Sequence, residues 1–233
     1  RGAATTGDGP DAAGEVVWTF AELDGRARAV AASLAGRAAA GDRAVLVFPP
    51  GLDFLAAYFG CLYAGVLPAP ATYPKPRRPS ARLDAIVADC APRVALTSAE
   101  TLAALRLDEQ TPAVAALSWI AVDQLPAAPR YAPLDRRADD AAFLQYTSGS
   151  TTEPRGVVVT HGNLLHNLEL ICEGFDLLQA DSGTIQTGVF WLPAYHDMGL
   201  IGGILSPLYV GGAHHPIAPA AVFARALGRV GTP

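Results

Sequence analysis

Residues 144–156 read LQYTSGSTTEPRG, and ten of these thirteen side chains are small, hydroxylic, charged or proline. The stretch follows the apolar residues AAF and leads directly into VVVTH. One strand running into the cluster and another leaving it put the hydroxyls in a loop beyond a strand end, where ligands sit in parallel α/β sheets. Thr147, Ser148, Ser150, Thr151 and Thr152 offer hydroxyl donors there. Gly149 lets backbone N–H groups converge on an anion, and Arg155 adds a fixed positive charge. This is the chemistry of a polyphosphate grip. A solvent-facing Ser/Thr turn has the same composition, so loop chemistry by itself leaves both readings open. The pattern G-x-x-x-x-G-K-[ST] is absent, and the next element reads as a strand rather than a helix. No G-x-S-x-G occurs, so nothing marks a nucleophile elbow.

Outward from the loop, strand and helix patterns alternate. VVWTF (16–20) reads as a short strand, and Thr19-Phe20-Ala21-Glu22 has capping-box spacing. Phe20, Leu23, Ala27, Val30, Ala31 and Leu34 follow at helical intervals, with arginines on the other face. RAVLVF (43–48) is a continuous apolar run, as expected of a strand covered on both sides. A helix over 52–65, a strand at GVLPAPA, an amphipathic helix at SARLDAIVADC and a strand at RVALTS come next. Residues 99–140 are less patterned and predict one helix and a strand around WIAV. GNLLHNLELICEGFDL predicts a helix, TIQTGVFWLP a strand, MGLIGGILSPLYVGG a glycine-rich apolar helix and PAAVFARALGRV a further helix. Short connections and strict alternation predict an α/β fold with mostly parallel sheets flanked by helices.

Composition narrows the function classes. The chain has 233 residues, 51% hydrophobic and 17% charged, enough apolar material for a sizeable core. A net charge of −5 gives no electrostatic reason to expect nucleic acid. Three scattered cysteines, Cys61, Cys90 and Cys172, without C-x-x-C spacing suggest reduced thiols and a cytoplasmic setting. Residues 54–74 carry no charge, but Gly60, Gly65, Pro68 and Pro70 interrupt them, which predicts a buried helix and strand and no stable membrane insertion. Residues 1–14 read as a frayed start, 15–233 as one unit with a candidate boundary at 126–140, and YPKPRRP as a basic surface loop. The chain opens without Met or a signal peptide and stops after GRVGTP, which reads as a fragment.

A second candidate site lies in WLPAYHDMGLIGG (191–203). A strand ends at Pro193, and Tyr195, His196 and Asp197 sit at the mouth of an apolar helix. A neutral imidazole can donate to a carboxylate or phosphate oxygen at neutral pH. The alternative is that the trio caps the helix, with Asp197 favourable at its positive end. Gly199, Gly202 and Gly203 leave space for a long apolar chain, although such a helix also serves as plain core. Asp197 adjoins His196, and no activated serine is marked, so a Ser-His-Asp triad is excluded. His161, His166, His214 and His215 show no metal-ligand spacing.

YTSGSTTEPRG resembles the Y-T-S-G-S-T-G-x-P-K-G signature of the adenylate-forming superfamily. The stretches GDRAVLVFPPGLDFLAAYFGCLYAGVLPAPATYP, ARLDAIVADC, FLQYTSGST, THGNLLHN and WLPAYHDMGLIGGILSPLYVGG are similar to the fatty acyl-AMP ligases within it. The resemblance runs from about residue 17 to about 212 and is loose in 99–140. It implies the N-terminal part of an adenylate-forming-enzyme fold, without the rest of the large domain and the small C-terminal domain. It implies ATP and Mg²⁺, a fatty acid substrate, and transfer of the acyl group to an acyl carrier protein. By motif position, Thr147, Ser148, Gly149, Ser150, Thr151, Thr152 and Arg155 would hold the β- and γ-phosphates. His196, with Tyr195 and Asp197, would lie beside the carboxylate and α-phosphate. Two positions depart from the signature: Arg155 stands for the commoner Lys, and Thr152 for Gly. Holding a β-branched residue at positive φ costs on the order of 1–3 kcal/mol, so Thr152 implies an altered loop backbone or weaker nucleotide binding. An acyl-CoA synthetase, another adenylating enzyme and a non-catalytic binding module are the alternatives. The downstream Mg²⁺, adenine and ribose ligands and the catalytic Lys that the family uses are absent from the 233 residues, so the isolated chain is expected to be inactive.

Overall fold

A computed structural model describes residues 16–73, 80–128, 130–147, 154–177 and 187–216. The first helix starts where its capping box predicts. The Glu22 N–H donates to Thr19 Oγ1 at 3.2 Å, the Thr19 N–H donates to Glu22 Oε2 at 2.7 Å, and α1 runs Phe20–Leu34. Its Ala27, Val30, Ala31 and Leu34 are buried, but Phe20 is 53% exposed. The strand expected at VVWTF does not form. Val16 and Val17 face solvent with no strand partner among the described residues, and the cap begins the helix at once.

After β1 (Arg43–Val47) comes α2 (Leu52–Ala64), which ends on Gly65 at φ 69°, the left-handed conformation that glycine adopts without a Cβ penalty. The two helices cross closely at Gly60, where a Cβ would lie 2.5 Å from Val30 Cβ. β2 (Leu67–Ala71), α3 (Ala81–Cys90), β3 (Val94–Thr97), α4 (Ala99–Leu105), α5 (Pro112–Ala115) and β4 (Trp119–Ala121) complete this half. The strand expected around WIAV forms as β4, while two short helices and two 3₁₀ turns replace the one helix expected in 99–140.

Four strands form a parallel sheet in the order β2-β1-β3-β4. β2 contains Pro68 and Pro70, which its edge position tolerates. Alternation sends Ala44 and Leu46 into one core with α1 and α2, and Val45 and Val47 into another with α3. The buried Thr97 hydroxyl donates to the Val47 carbonyl at 2.6 Å. No helix among the described residues is long and apolar enough to cross a membrane.

The strap 126–140 lies against these helices: the Leu134 N–H donates to the Tyr63 carbonyl at 2.9 Å, and the Arg28 guanidinium donates to the Tyr131 carbonyl. It leads into β5 (Ala141–Tyr146), β6 (Gly156–Thr160) and α6 (His161–Gly174), followed by β7 (Thr187–Phe190), a π-helix (Met198–Leu205), α7 (Ser206–Tyr209) and β8 (Ala213–Pro216). β7 and β8 pair in parallel, whereas β5 and β6 pair antiparallel, with Leu144 opposite Val158 and Tyr146 opposite Gly156. The hydroxyl loop therefore joins a hairpin and does not lead to a crossover. The nine residues 147–155 between the strands are too few for a parallel return, which takes about a dozen or more. The apolar helix predicted from Met198 is a π-helix for its first eight residues and ends at Tyr209. The basic loop 74–79, the residues 1–14, the PAAVFARALGRV helix and Ser148–Thr152 lie outside the described residues.

Candidate functional site

β5 carries the hydroxyl loop, and both of its faces are buried. Phe143 meets the core that contains Leu164, Leu168 and Leu200, while Leu144 and Tyr146 meet the α3 side. Its last two residues are polar and each reaches a distant element. Tyr146 donates its phenol to Asp89 Oδ2 of α3 at 2.6 Å. Burial first, and then that hydrogen bond, holds the Tyr146 phenol above its ordinary range. The Tyr146 ring lies over its hairpin partner, where a Cβ on Gly156 would come within 2.9 Å of Cζ. The Thr147 N–H meets the Arg155 carbonyl at 3.4 Å, which closes the neck of the loop. Thr147 and Arg155 are exposed at this neck.

The second grip is Gln145, 8% exposed, whose Nε2 donates to the Tyr195 carbonyl at 2.9 Å. The contact brings the predicted His196 segment to the strand that bears the loop. Neither Gln145 nor Asp89 was among the expected site residues. A single amide inside a strand buried on both faces was the available signal for Gln145; Asp89 offered none.

In the turn, the His196 N–H donates to the Pro193 carbonyl at 3.0 Å and the Leu200 N–H to the His196 carbonyl at 2.8 Å. Asp197 Oδ1 accepts from the Met198 N–H at 2.7 Å, so the helix-capping expectation for Asp197 holds. His196 Nδ1 lies 2.6 Å from the same carboxylate oxygen. A contact that short between nitrogen and a carboxylate requires the proton on Nδ1. Nε2 is then the nitrogen left for a ligand, an acceptor on the neutral ring and a donor only on the imidazolium. With Nδ1–H spent on Asp197, the neutral ring has no second N–H. Both side chains are more than half exposed.

The three helix glycines differ. A Cβ on Gly199 would sit 2.1 Å from the Pro193 carbonyl oxygen, so glycine there lets the helix backbone abut the turn. A Cβ on Gly203 would meet the Phe190 ring at 3.1 Å. Only Gly202 of the three faces open space, and the idea that all three clear room for an acyl chain narrows to that position. The π-helix widens this segment, and the Ser206 N–H closes it on the Ile201 carbonyl five residues back.

On the far side of Tyr195 is an apolar cavity of about 200 Å³. It opens beyond the carboxyl ends of β1 and β2, between Phe48, Phe54, Tyr73, Pro193 and Tyr195. All three cysteines are unpaired and buried, and burial pushes the Cys90 thiol up to about 11. Among the described residues no group of three His, Cys, Asp or Glu could hold a metal ion.

The neck of the hydroxyl loop, with Arg155 beside it, is thus joined through Gln145 to a His-Asp turn next to an apolar cavity. The chain matches the AMP-binding enzyme family over residues 2–230, and it belongs to that family. It is 38% identical over 214 residues to the medium-chain-fatty-acid–[acyl-carrier-protein] ligase JamA of Moorena producens (strain JHB), covering 89% of this chain and 35% of JamA. It is 37% identical over 200 residues to a long-chain-fatty-acid–AMP ligase of Mycobacterium tuberculosis, covering 83% and 34% of the two chains. Its fold is similar to the crystal structure of a fatty acyl-adenylate ligase from Legionella pneumophila in complex with acyl adenylate and pyrophosphate. The TM-score is 0.78 at 36% identity, with 91% of this chain and 36% of that one covered. The chain spans about a third of the length of the curated relatives it matches.

Proposed function

We propose that this chain is part of an enzyme that activates a fatty acid with ATP, releasing pyrophosphate, and passes the acyl group to the phosphopantetheine thiol of an acyl carrier protein in the cytoplasm. The observation that carries the reading is the Gln145–Tyr195 contact, which joins the strand bearing the hydroxyl loop to the turn bearing His196. Polyphosphate and carboxylate then have adjacent seats. In the reaction a carboxylate oxygen attacks the α-phosphorus, and the bond from α-phosphorus to the bridging oxygen of pyrophosphate breaks. No protein nucleophile is needed; catalysis rests on positioning and on donors aimed at developing charge. Thr147, Ser148, Gly149, Ser150, Thr151 and Thr152 supply hydroxyl and backbone donors to the β- and γ-phosphates, and Arg155 supplies the positive charge. His196 lies beside the carboxylate and α-phosphate, flanked by Tyr195 and Asp197. The apolar part of the substrate takes the space beside Gly202 or the cavity next to Tyr195. Mg²⁺ would neutralise phosphate charge when bound; among the described residues no group of three His, Cys, Asp or Glu could hold it.

The test is fatty-acid-dependent ATP–pyrophosphate exchange by the full-length polypeptide and by these 233 residues alone. Exchange is expected from the former only. Mass spectrometry of the thioesters formed with a phosphopantetheinylated carrier protein and with free coenzyme A follows. Efficient acyl-CoA formation moves the reading to an acyl-CoA synthetase, and absence of exchange in the full-length protein moves it to a binding module.

A further inference from the structure

We propose that Gln145 is a positioning residue that holds the His196 turn in register with the hydroxyl loop; the inference rests on the adenylation reading above. Gln145 is the penultimate residue of β5, 8% exposed, and Tyr195 lies 50 residues further along the chain. A carbonyl only accepts, so the amide nitrogen of Gln145 must face it. Among the described residues, the other hydrogen bonds of 193–200 stay within the turn and its helix: His196 to Pro193, Leu200 to His196, and Met198 to Asp197. Gln145 is therefore the hydrogen-bonded link from this turn to the strand that carries the loop.

Two features set this link apart from ordinary core packing. The Gln145 Oε1 is buried with no hydrogen-bond partner among the described residues. A leucine of similar size would carry no such unpaired acceptor, so packing alone gives no reason for an amide here. The loop, moreover, has its own anchor. Tyr146, next in sequence and on the opposite face of β5, is fixed to Asp89 of α3 at 2.6 Å. Loss of the Gln145 link therefore frees the His196 turn and leaves the base of the loop in place. The two halves of the reaction, polyphosphate binding and carboxylate attack, separate at this residue.

The experiment compares Gln145→Leu and Gln145→Asn with wild type in the full-length polypeptide. Pyrophosphate exchange is measured with ATP and fatty acid each varied, and rates are taken per active molecule from a burst of acyl-adenylate. Asparagine keeps an amide but is one methylene too short to reach the Tyr195 carbonyl. Misplacement of a reacting group by about 1 Å costs on the order of 100-fold in rate. The expected result is thus a kcat lowered by about 10- to 100-fold, with the KM for ATP within about twofold of wild type. An unchanged kcat overturns the proposal, and so does a KM for ATP that rises in step with the loss of kcat. If neither variant folds, amide exchange of the wild-type protein decides with inorganic pyrophosphate as the probe. Added protection at 194–198 supports the link, and its absence refutes it. A wild-type polypeptide with no fatty-acid-dependent exchange refutes the adenylation reading itself, and is told apart from failure of the positioning role because no variant is needed to see it.

Discussion

The two halves of the described chain use strands differently. In the first, β1 is buried from Ala44 onward and β3 throughout, each flanked by parallel neighbours and covered by helices on both faces. In the second, the strands pair by twos, and β6 and β7 are partly open to solvent: Val157, Val158 and Val189 stand exposed, as do Trp191 and Met198. The first half is a scaffold on which β5 rests: the Phe143 ring packs edge-on against Tyr58, and Tyr146 donates to Asp89. The second holds nearly every candidate functional residue, on loops, turns and a π-helix hung from one buried strand, β5. Rigid support on one side and irregular, accessible backbone on the other is what a ligand site requires.

That contrast can be broken by substitution. Leu46→Ala in β1, at a side chain 1% exposed, is expected to cost about 2–5 kcal/mol. Val158→Ala in β6, 56% exposed, is expected to stay within about 0.5 kcal/mol. Denaturant unfolding of the 233-residue chain measures both, and equal losses would erase the distinction between the halves.

A finer test lies inside the second half. Gly199→Ala must push the helix away from the Pro193 carbonyl and is expected to destabilise by about 1–3 kcal/mol. Gly202→Ala meets open space and gains about 0.5–1 kcal/mol of helix propensity. Thermal unfolding of the pair shows whether these glycines are there for backbone approach or for flexibility; matching shifts would exclude the close contact.

The smallest effect is electrostatic, at the junction of strap and α6. Burial, then the positive charge of Arg136, lowers the pKa of His161 against the opposing pull of Asp140. A histidine depressed in the folded state binds fewer protons folded than unfolded. Its contribution is therefore complete above the unfolded pKa of about 6.5 and is lost as pH falls through the folded value. Melting temperature should drop on acidification below neutrality, and His161→Gln should flatten that slope. A slope unchanged by the substitution would place the pH dependence elsewhere.

Much of the scaffold was legible because its signals are local. The Thr19–Glu22 box, the interruption at Gly65 and the run RAVLVF are each encoded within a few residues. Of the site, the loop residues and the Tyr195–His196–Asp197 trio stood out by chemistry and by motif. The strand at VVWTF failed because β-branched composition says nothing about whether a partner strand exists. The hairpin was misplaced beside a parallel crevice although the count of linking residues already spoke against a crossover.

Sequence by itself thus determined the alternation of helices and strands and the family signature, and it supplied the candidate residues for an anion. Tertiary structure decided which of these meet. Gln145 finds Tyr195 across 50 residues and Tyr146 finds Asp89 across 57, and Gly199 is glycine because a carbonyl from the preceding turn lies against it. Caps and periodicities are short-range hydrogen-bonding and burial preferences that a few neighbouring residues fix. Contacts between distant segments depend on how the buried faces of whole elements pack, and no single segment carries that information.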